Sequence, residues 1–352
     1  MAIKPLKSIK FPGLPDTYTI NAAGLSSSAK AALLACFRNV AWKNGSGEEY
    51  YNALVLALNE AGSNHITATL TLGNHDVYNT DNIESLRHFL HVEELDSGGT
   101  SAVITDYTLS GDISTTGTKT ITVTYNEMTT TFSVNVISNP TGIIYEWDFT
   151  RGFTDLRQYK TASAIAFGGN SPTIDANGVH FNNEGQRLEL LPANASAEIS
   201  YFANKTIQVD VGSYAPKSEN DSYHTRFIMF RRDEGSGSTN VWDTGLVYRK
   251  ANTTSATVGW SIYAGNNGWG SQIQNMNRDA ISGHTVCLYL DANLKPKIYL
   301  DSTLKSNQSL TFPTNDTIKG LSIGSTTPAR TGGTVYDATI TKIRIYSGEV
   351  SA

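Results

Sequence analysis

Two stretches of this sequence hold residue types that could do chemistry, and they point to different chemistries. Glu146-Trp-Asp148 sets two carboxylates two residues apart, so on a β-strand both would project from one face with Trp147 on the other. A pair of acids, one protonated and one ionised, is what cleavage of a glycosidic bond needs. The second stretch runs from Trp242 to Asn277 and gathers Trp242, Asp243, Tyr248, Trp260, Tyr263, Asn266, Asn267, Trp269 and Gln272. Sugars offer apolar ring faces to aromatic side chains and hydroxyls to amides and carboxylates, so this mixture has the chemistry of a glycan site. Trp242, Asp243, Tyr263, Asn266, Asn267, Trp269 and Gln272 are the candidate ligand-binding residues.

Each stretch also has a plainer reading. Position 150 is Thr150, so no third acid continues the alternation, and Glu146 and Asp148 read better as strand-surface carboxylates beside a buried Trp147. Trp242 and Trp260 can equally be core residues, and for Trp260, on an evident strand, the core reading is preferred. Gly265-Asn-Asn-Gly-Trp-Gly270 is loop-like, which leaves Trp269 open to both readings.

Other reaction chemistry is hard to assemble. His88 and His91 are the closest pair among the seven histidines, at helical spacing and with no third ligand nearby, whereas zinc takes three or four. No Ser-His-Asp or Cys-His arrangement can be argued, and no glycine-rich phosphate loop joins a strand to a helix. The expectation is therefore a protein that is not an enzyme, with no catalytic residue, no metal ligand and no cofactor assigned. Calcium stays open, because Glu219-Asn-Asp221 and Asp291-Ala-Asn293 supply loop oxygens, although each also suits a turn. Cys36 and Cys287 fall in different regions and read as small buried hydrophobes, not as a disulfide.

Composition bounds the partners. The 352 residues carry 27 Lys and Arg against 32 Asp and Glu, a formal charge of -5, with no basic run to follow a phosphate backbone, so nucleic acid is not expected. Hydrophobic residues make 39% and charged residues 17% of the chain, which suits folded, turn-rich β structure. The N-terminal lysines Lys4, Lys7 and Lys10 are followed by prolines, not by an apolar run, so no secretory signal is expected. No stretch approaches the roughly 20 apolar residues that cross a bilayer, so no membrane insertion is expected either.

The elements that must position these residues fall into three regions. In residues 1–62, serines 26–28 can cap a helix whose stripe is Leu33, Leu34, Phe37, Val40 and Ala41. Asn44-Gly-Ser-Gly47 breaks it, and Glu48 to Asn59 resumes the period. This predicts a helical hairpin too small to fold alone, hence a docking segment or a satellite packed on its own chain. Residues 63–138 turn to period two: Ile66 to Leu70, then Thr120 to Tyr125 and Thr129 to Val136, joined by a hairpin turn at Asn126-Glu127. One or two helical turns are expected within Asn82 to Leu90. Residues 139–352 follow the linker Ser138-Asn-Pro-Thr-Gly142 and hold many short strands: 144–149, 178–182, 206–211, 226–231, 259–263, 285–291, 297–300, 320–323 and 339–346.

Asp81-Asn-Ile-Glu-Ser-Leu86, Leu90-His-Val92, Ile104 to Gly111, Gly117, Thr120 to Tyr125 and Thr131 to Val136 together resemble a bacterial immunoglobulin-like domain of surface and phage structural proteins. That resemblance implies a spacer without a reaction centre. Tyr145-Glu-Trp-Asp-Phe149, the hairpin Cys287 to Asp301, Lys319-Gly-Leu-Ser-Ile-Gly324 and Ala338 to Ser347 resemble the concanavalin A-like, laminin G-like superfamily. It implies a jelly-roll β-sandwich that binds glycan or protein and in some branches hydrolyses glycan. Family hydrolases carry their acids on a central strand, a pattern that Glu146 and Asp148 do not complete.

Ile9 to Tyr18, Leu34 to Trp42 and Tyr50 to Leu54 are similar to segments of phage virion proteins. The order of helical hairpin, immunoglobulin-like domain and lectin-like sandwich, mainly β, then implies a virion-surface receptor-binding protein of a tail fibre, baseplate or head fibre. Its expected partners are other virion proteins at the N-terminal segment and host surface glycan at the C-terminal domain, with the chain a homo-oligomer so that weak sites act together. The alternatives are a structural decoration protein without ligand and a glycan depolymerase.

Overall fold

Period-two alternation yields strands through most of what the computed structural model of the chain describes. The described residues are 9–10, 19–20, 64–96, 100–166, 170–182, 186–191, 199–216, 225–232, 244–249, 259–264, 269–277, 280–313, 318–324 and 336–352. The helical hairpin expected within residues 26–59 lies outside them, as do Cys36, Trp242, Asp243, Asn266 and Asn267. The described chain divides into two units: residues up to Tyr78 with Leu86–Ile137, and Asn79–Ser85 with Ser138–Ala352.

In the first unit β1 (Ile9–Lys10) pairs with β2 (Thr19–Ile20). A three-stranded antiparallel sheet joins β3 (His65–Leu70), β5 (Leu90–Leu95) and β6 (Ser101–Val103). A four-stranded sheet runs β4 (Val77–Tyr78), β9 (Met128–Ile137), β8 (Gly117–Tyr125), β7 (Thr108–Ser110), with β4 parallel to β9. Ile66, Val92, Ile121, Val123, Val134 and Val136 are buried, which is the apolar half of each alternation. The β8–β9 turn sits at Asn126 and Glu127, with φ of 45° and 66°, the left-handed pair that matches the twist of a two-residue hairpin. The helical turns expected within Asn82 to Leu90 form a 3-10 helix at Ile83–His88, opened by Asn82 Oδ1 accepting the Glu84 amide at 3.0 Å.

The second unit is a two-sheet antiparallel sandwich. One sheet has the order β12 (Thr173–Asp175), β13 (Gly178–Phe181), β24 (Tyr336–Ser347), β15 (Lys205–Pro216), β20 (Thr285–Leu290), β21 (Pro296–Leu300), β22 (Thr303–Asn307), and β10 (Ile143–Asp148) also pairs with β24. The other runs β11 (Ser163–Ala166), β14 (Gln186–Leu191), β23 (Ile318–Gly324), β16 (Thr225–Arg232), β17 (Thr244–Arg249), β18 (Gly259–Ala264), β19 (Trp269–Gln272). Both inner faces feed one core that includes Trp147, Phe181, Leu188, Val209, Phe227, Phe230, Trp260, Leu288, Ile323 and Ile343.

Trp260 is a core residue, as its strand suggested. It is fully buried, its Nε1 donates to the Asn277 carbonyl at 2.9 Å, and the Tyr214, Phe227 and Tyr248 rings lie 5.1, 5.5 and 5.7 Å from it. Trp147 is likewise buried and donates Nε1 to the Lys160 carbonyl at 3.0 Å.

Candidate functional site

Along each strand of the seven-stranded sheet, the residues between the core positions face away from the core. On β14 these are Arg187 and Glu189, which alternate with Leu188 and Leu190; on β23, Ser322; on β16, Met229; on β17, Val247; on β18, Ser261 and Tyr263. Register turns them into rows across the sheet. Glu189 stands opposite Ser322, Ser322 opposite Met229, Met229 opposite Gly245, and Gly245 opposite Tyr263. A neighbouring row sets Arg226 opposite Val247 and Val247 opposite Ser261.

This outward face is neither the apolar surface of a core nor a plain solvated one. Met229, Val247 and Tyr263 form a buried apolar cluster of their own. Arg187, Glu189, Arg226, Ser261 and Ser322 are buried beside them, with Arg187 Nη2 3.4 Å from Glu189 Oε2. Ser322 Oγ is fully buried and has no hydrogen-bond partner among the described residues. Gly245 makes the centre of the row possible: its φ is +154°, and a Cβ there would lie 2.1 Å from the Ile228 carbonyl oxygen and 2.9 Å from Met229 Sδ.

Of the residues the sequence nominated, Tyr263 belongs to this face. Trp269 and Gln272 lie on the edge strand β19, where register sets Trp269 opposite Tyr263 and Gln272 opposite Ser261. Trp242, Asp243, Asn266 and Asn267 lie outside the described residues. Arg187, Glu189, Arg226 and Ser322 escaped the sequence reading. The alternation Gln186-Arg-Leu-Glu-Leu-Leu191 was the available signal for the first two, but it is short and fully buried on both faces.

The acid pair sits on the outer face of the other sheet, inside an ion-pair network. Glu146 accepts from Arg157 Nη2 and from Arg344 Nε, both at 3.1 Å; Arg157 Nη1 reaches Asp81 Oδ2 at 3.1 Å, and Arg344 Nη1 reaches Asp210 Oδ2 at 2.9 Å. Asp148 lies 3.2 Å from Lys342 Nζ and accepts the Thr150 hydroxyl at 2.6 Å. Burial would raise the Asp148 pKa, but the Thr150 hydroxyl, Lys342 and the Thr150 amide outweigh it and hold it below the usual carboxylate value. A general acid needs the opposite shift. Glu146 and Asp148 thus have the geometry of structural ion pairs.

Remaining candidates resolve locally. Asp291 Oδ1 accepts the Asn293 and Lys295 amides at 2.8 and 2.9 Å, which is the turn reading of that segment, while Glu219-Asn-Asp221 lies outside the described residues. His88 packs edge-on against Phe89, and His91 Nε2 is 3.0 Å from Glu93 Oε1. Among the described residues no three His, Cys, Asp or Glu side chains gather as a metal site, and no helix is long and apolar enough to cross a membrane. Cys287 is buried, and burial, with Asp210 nearby, pushes its thiol up to about 12, which leaves it unreactive at neutral pH.

Residues 90–136 match the bacterial Ig-like domain, group 3. The Ig-like domain thus accounts for β5 to β9. No curated protein matches the chain in sequence. Among solved structures, the chain is similar to domain 4 of an extracellular arabinanase from Geobacillus stearothermophilus in complex with arabinotriose, at 13% identity and a TM-score of 0.38, over 60% of this chain and 94% of that one. It is similar to Trypanosoma rangeli sialidase at 12% identity and a TM-score of 0.40, over 81% of this chain and 49%, about half, of the sialidase. The carbohydrate-binding module of a Ruminococcus gnavus sialidase gives 16% identity and a TM-score of 0.33, over 49% of this chain and 91% of the module.

Proposed function

We propose that this chain is a non-enzymatic adhesin that binds cell-surface carbohydrate through its C-terminal sandwich, with the Ig-like domain as a spacer. The observation that carries the reading is the outward face of the seven-stranded sheet. There register pairs Tyr263 with Trp269 and Ser261 with Gln272 at the β18–β19 edge, which sets aromatic residues beside hydrogen-bonding ones, while Met229 and Ser322 further into the sheet are fully buried. Hydrogen-bonding groups beside an aromatic surface are what a saccharide ring requires. The commitment of Glu146 and Asp148 to ion pairs supports a binding role without hydrolysis.

The finer assignment is a virion-surface protein of a tail fibre, baseplate or head fibre. It rests on the likeness of Ile9 to Tyr18, Leu34 to Trp42 and Tyr50 to Leu54 to virion segments. On this reading the N-terminal segment docks on other virion proteins, the sandwich faces the host, and a homo-oligomer multiplies weak contacts.

The test is binding of the full-length folded chain to host cell-wall preparations and to a glycan array. Retention is expected, and Trp269→Ala is expected to weaken it about tenfold or more. A folded chain that binds nothing, or a Trp269→Ala variant that binds as well as the parent, sinks the reading in favour of a purely structural protein. Release of reducing sugar from the same material, lost in Glu146→Gln, would instead make the chain a depolymerase.

A further inference from the structure

The outer face of the eight-stranded sheet holds a shallow depression of about 530 Å3, lined by Thr150, Asn177, His180, Ser213, Thr339 and Thr341 around Ala176 and Gly212. Its volume is in the range of about 300–1,000 Å3 usual for small-molecule sites. It exists because β15 slips register between Val211 and Ser213, which sets Gly212, with no side chain, beside Thr339.

Most of the hydroxyl hydrogens in this depression are already committed to the protein. Thr150 Oγ1 donates to Asp148 Oδ1 at 2.6 Å, and Thr341 Oγ1 donates to the Asp210 carbonyl at 3.1 Å. Ser213 Oγ donates to Thr339 Oγ1 at 3.2 Å, Thr339 Oγ1 lies 3.2 Å from His180 Nδ1, and His180 Nε2 lies 2.9 Å from Asp175 Oδ1. Three hydroxyls therefore spend their hydrogens on the protein and keep oxygen lone pairs for a visitor. An anion would meet those lone pairs, and an apolar molecule would leave them unpaired. A neutral molecule rich in hydroxyl donors satisfies them.

We propose that this depression is a second saccharide site, which takes one neutral pyranose unit on the sheet opposite Tyr263. It does not depend on the face proposed above, and the two can be tested separately. Methyl α-D-glucopyranoside and methyl β-D-galactopyranoside serve as probes in saturation-transfer NMR with the full chain, and glucuronate serves as the anionic control. At least one neutral glycoside is expected to receive saturation, to perturb the His180 ring protons, and to do both undiminished in Trp269→Ala.

A Gly212→Leu side chain would fill the depression. Its Cβ would sit at an ordinary 3.4 Å from the Thr339 carbonyl oxygen, and the signal is expected to vanish. Thr150→Val, on the exposed rim, is expected to weaken the neutral glycoside about threefold by removing one acceptor. The proposal is overturned if neither glycoside binds, if binding survives Gly212→Leu and Thr150→Val unchanged, if it disappears in Trp269→Ala, or if glucuronate binds as well.

Discussion

Arg157 shows how much of this sandwich is decided by single buried charges. It is 5% exposed, and its guanidinium spans two carboxylates, Asp81 and Glu146, at 3.1 Å each. Replacing it by Met would remove the guanidinium that faces the buried Asp81 carboxylate, while Glu146 keeps Arg344. Arg157→Met is therefore expected to cost about 3–5 kcal/mol, read as a lower urea midpoint. A loss under about 1 kcal/mol would show that the pair is not desolvated as described. Asp155 poses the opposite problem. Burial pushes its carboxyl up to about 6, although Oδ1 and Oδ2 accept the Glu146 and Gln158 amides at 2.6 Å and Oδ1 the Arg157 amide at 3.1 Å. A folded-state pKa above the unfolded value means that the native state holds the proton more tightly. The contribution of this group is thus fully present below about pH 4 and is lost, by about 3 kcal/mol, as pH rises to about 6. Urea midpoints of the parent and Asp155→Asn, compared across that window, are expected to move in favour of the variant with rising pH. A gap that stays constant would contradict the assignment.

At the scale of elements, backbone conformation sets the sharpest expectations. The β8–β9 turn has two left-handed residues, Asn126 and Glu127, and Asn tolerates that region better than Glu. Glu127→Gly is expected to stabilise the Ig-like domain by about 0.5–1 kcal/mol, measured by thermal unfolding of the full chain; destabilisation would mean that the Glu127 side chain matters more than its φ. Gly245→Ala should do the reverse, lowering the melting temperature of the sandwich and disturbing the Met229 environment, because its Cβ has no space. Strands with clean alternation, such as β8, β9, β10 and β24, were legible from sequence. β14 and β17 were not; β14 is buried along its whole length, where period two carries little contrast, although the equally buried β18 and β20 were read as strands. β11, β12 and β22, three to five residues long, were also missed, while β13 and β21, of four and five residues, were read.

For the whole molecule, the proposed binding role predicts that the two outer faces of the sandwich act separately. The loss of wall binding in Trp269→Ala, set against retained glycoside binding at the Gly212 depression, would show that the two faces act independently. Sequence alone determined the β character of the chain, the Asn126-Glu127 turn, the burial of Trp147 and the Ig-like pattern matched over residues 90–136. These are properties of residues within a few positions of each other, where periodicity and turn chemistry act. Tertiary structure alone decided that Glu146 belongs to Arg344, 198 residues away, and that Tyr263 stands in one row with Gly245, Met229, Ser322 and Glu189. Those relations are set by strand order and register, and register comes from packing two sheets on a common core, which no local stretch of the chain encodes.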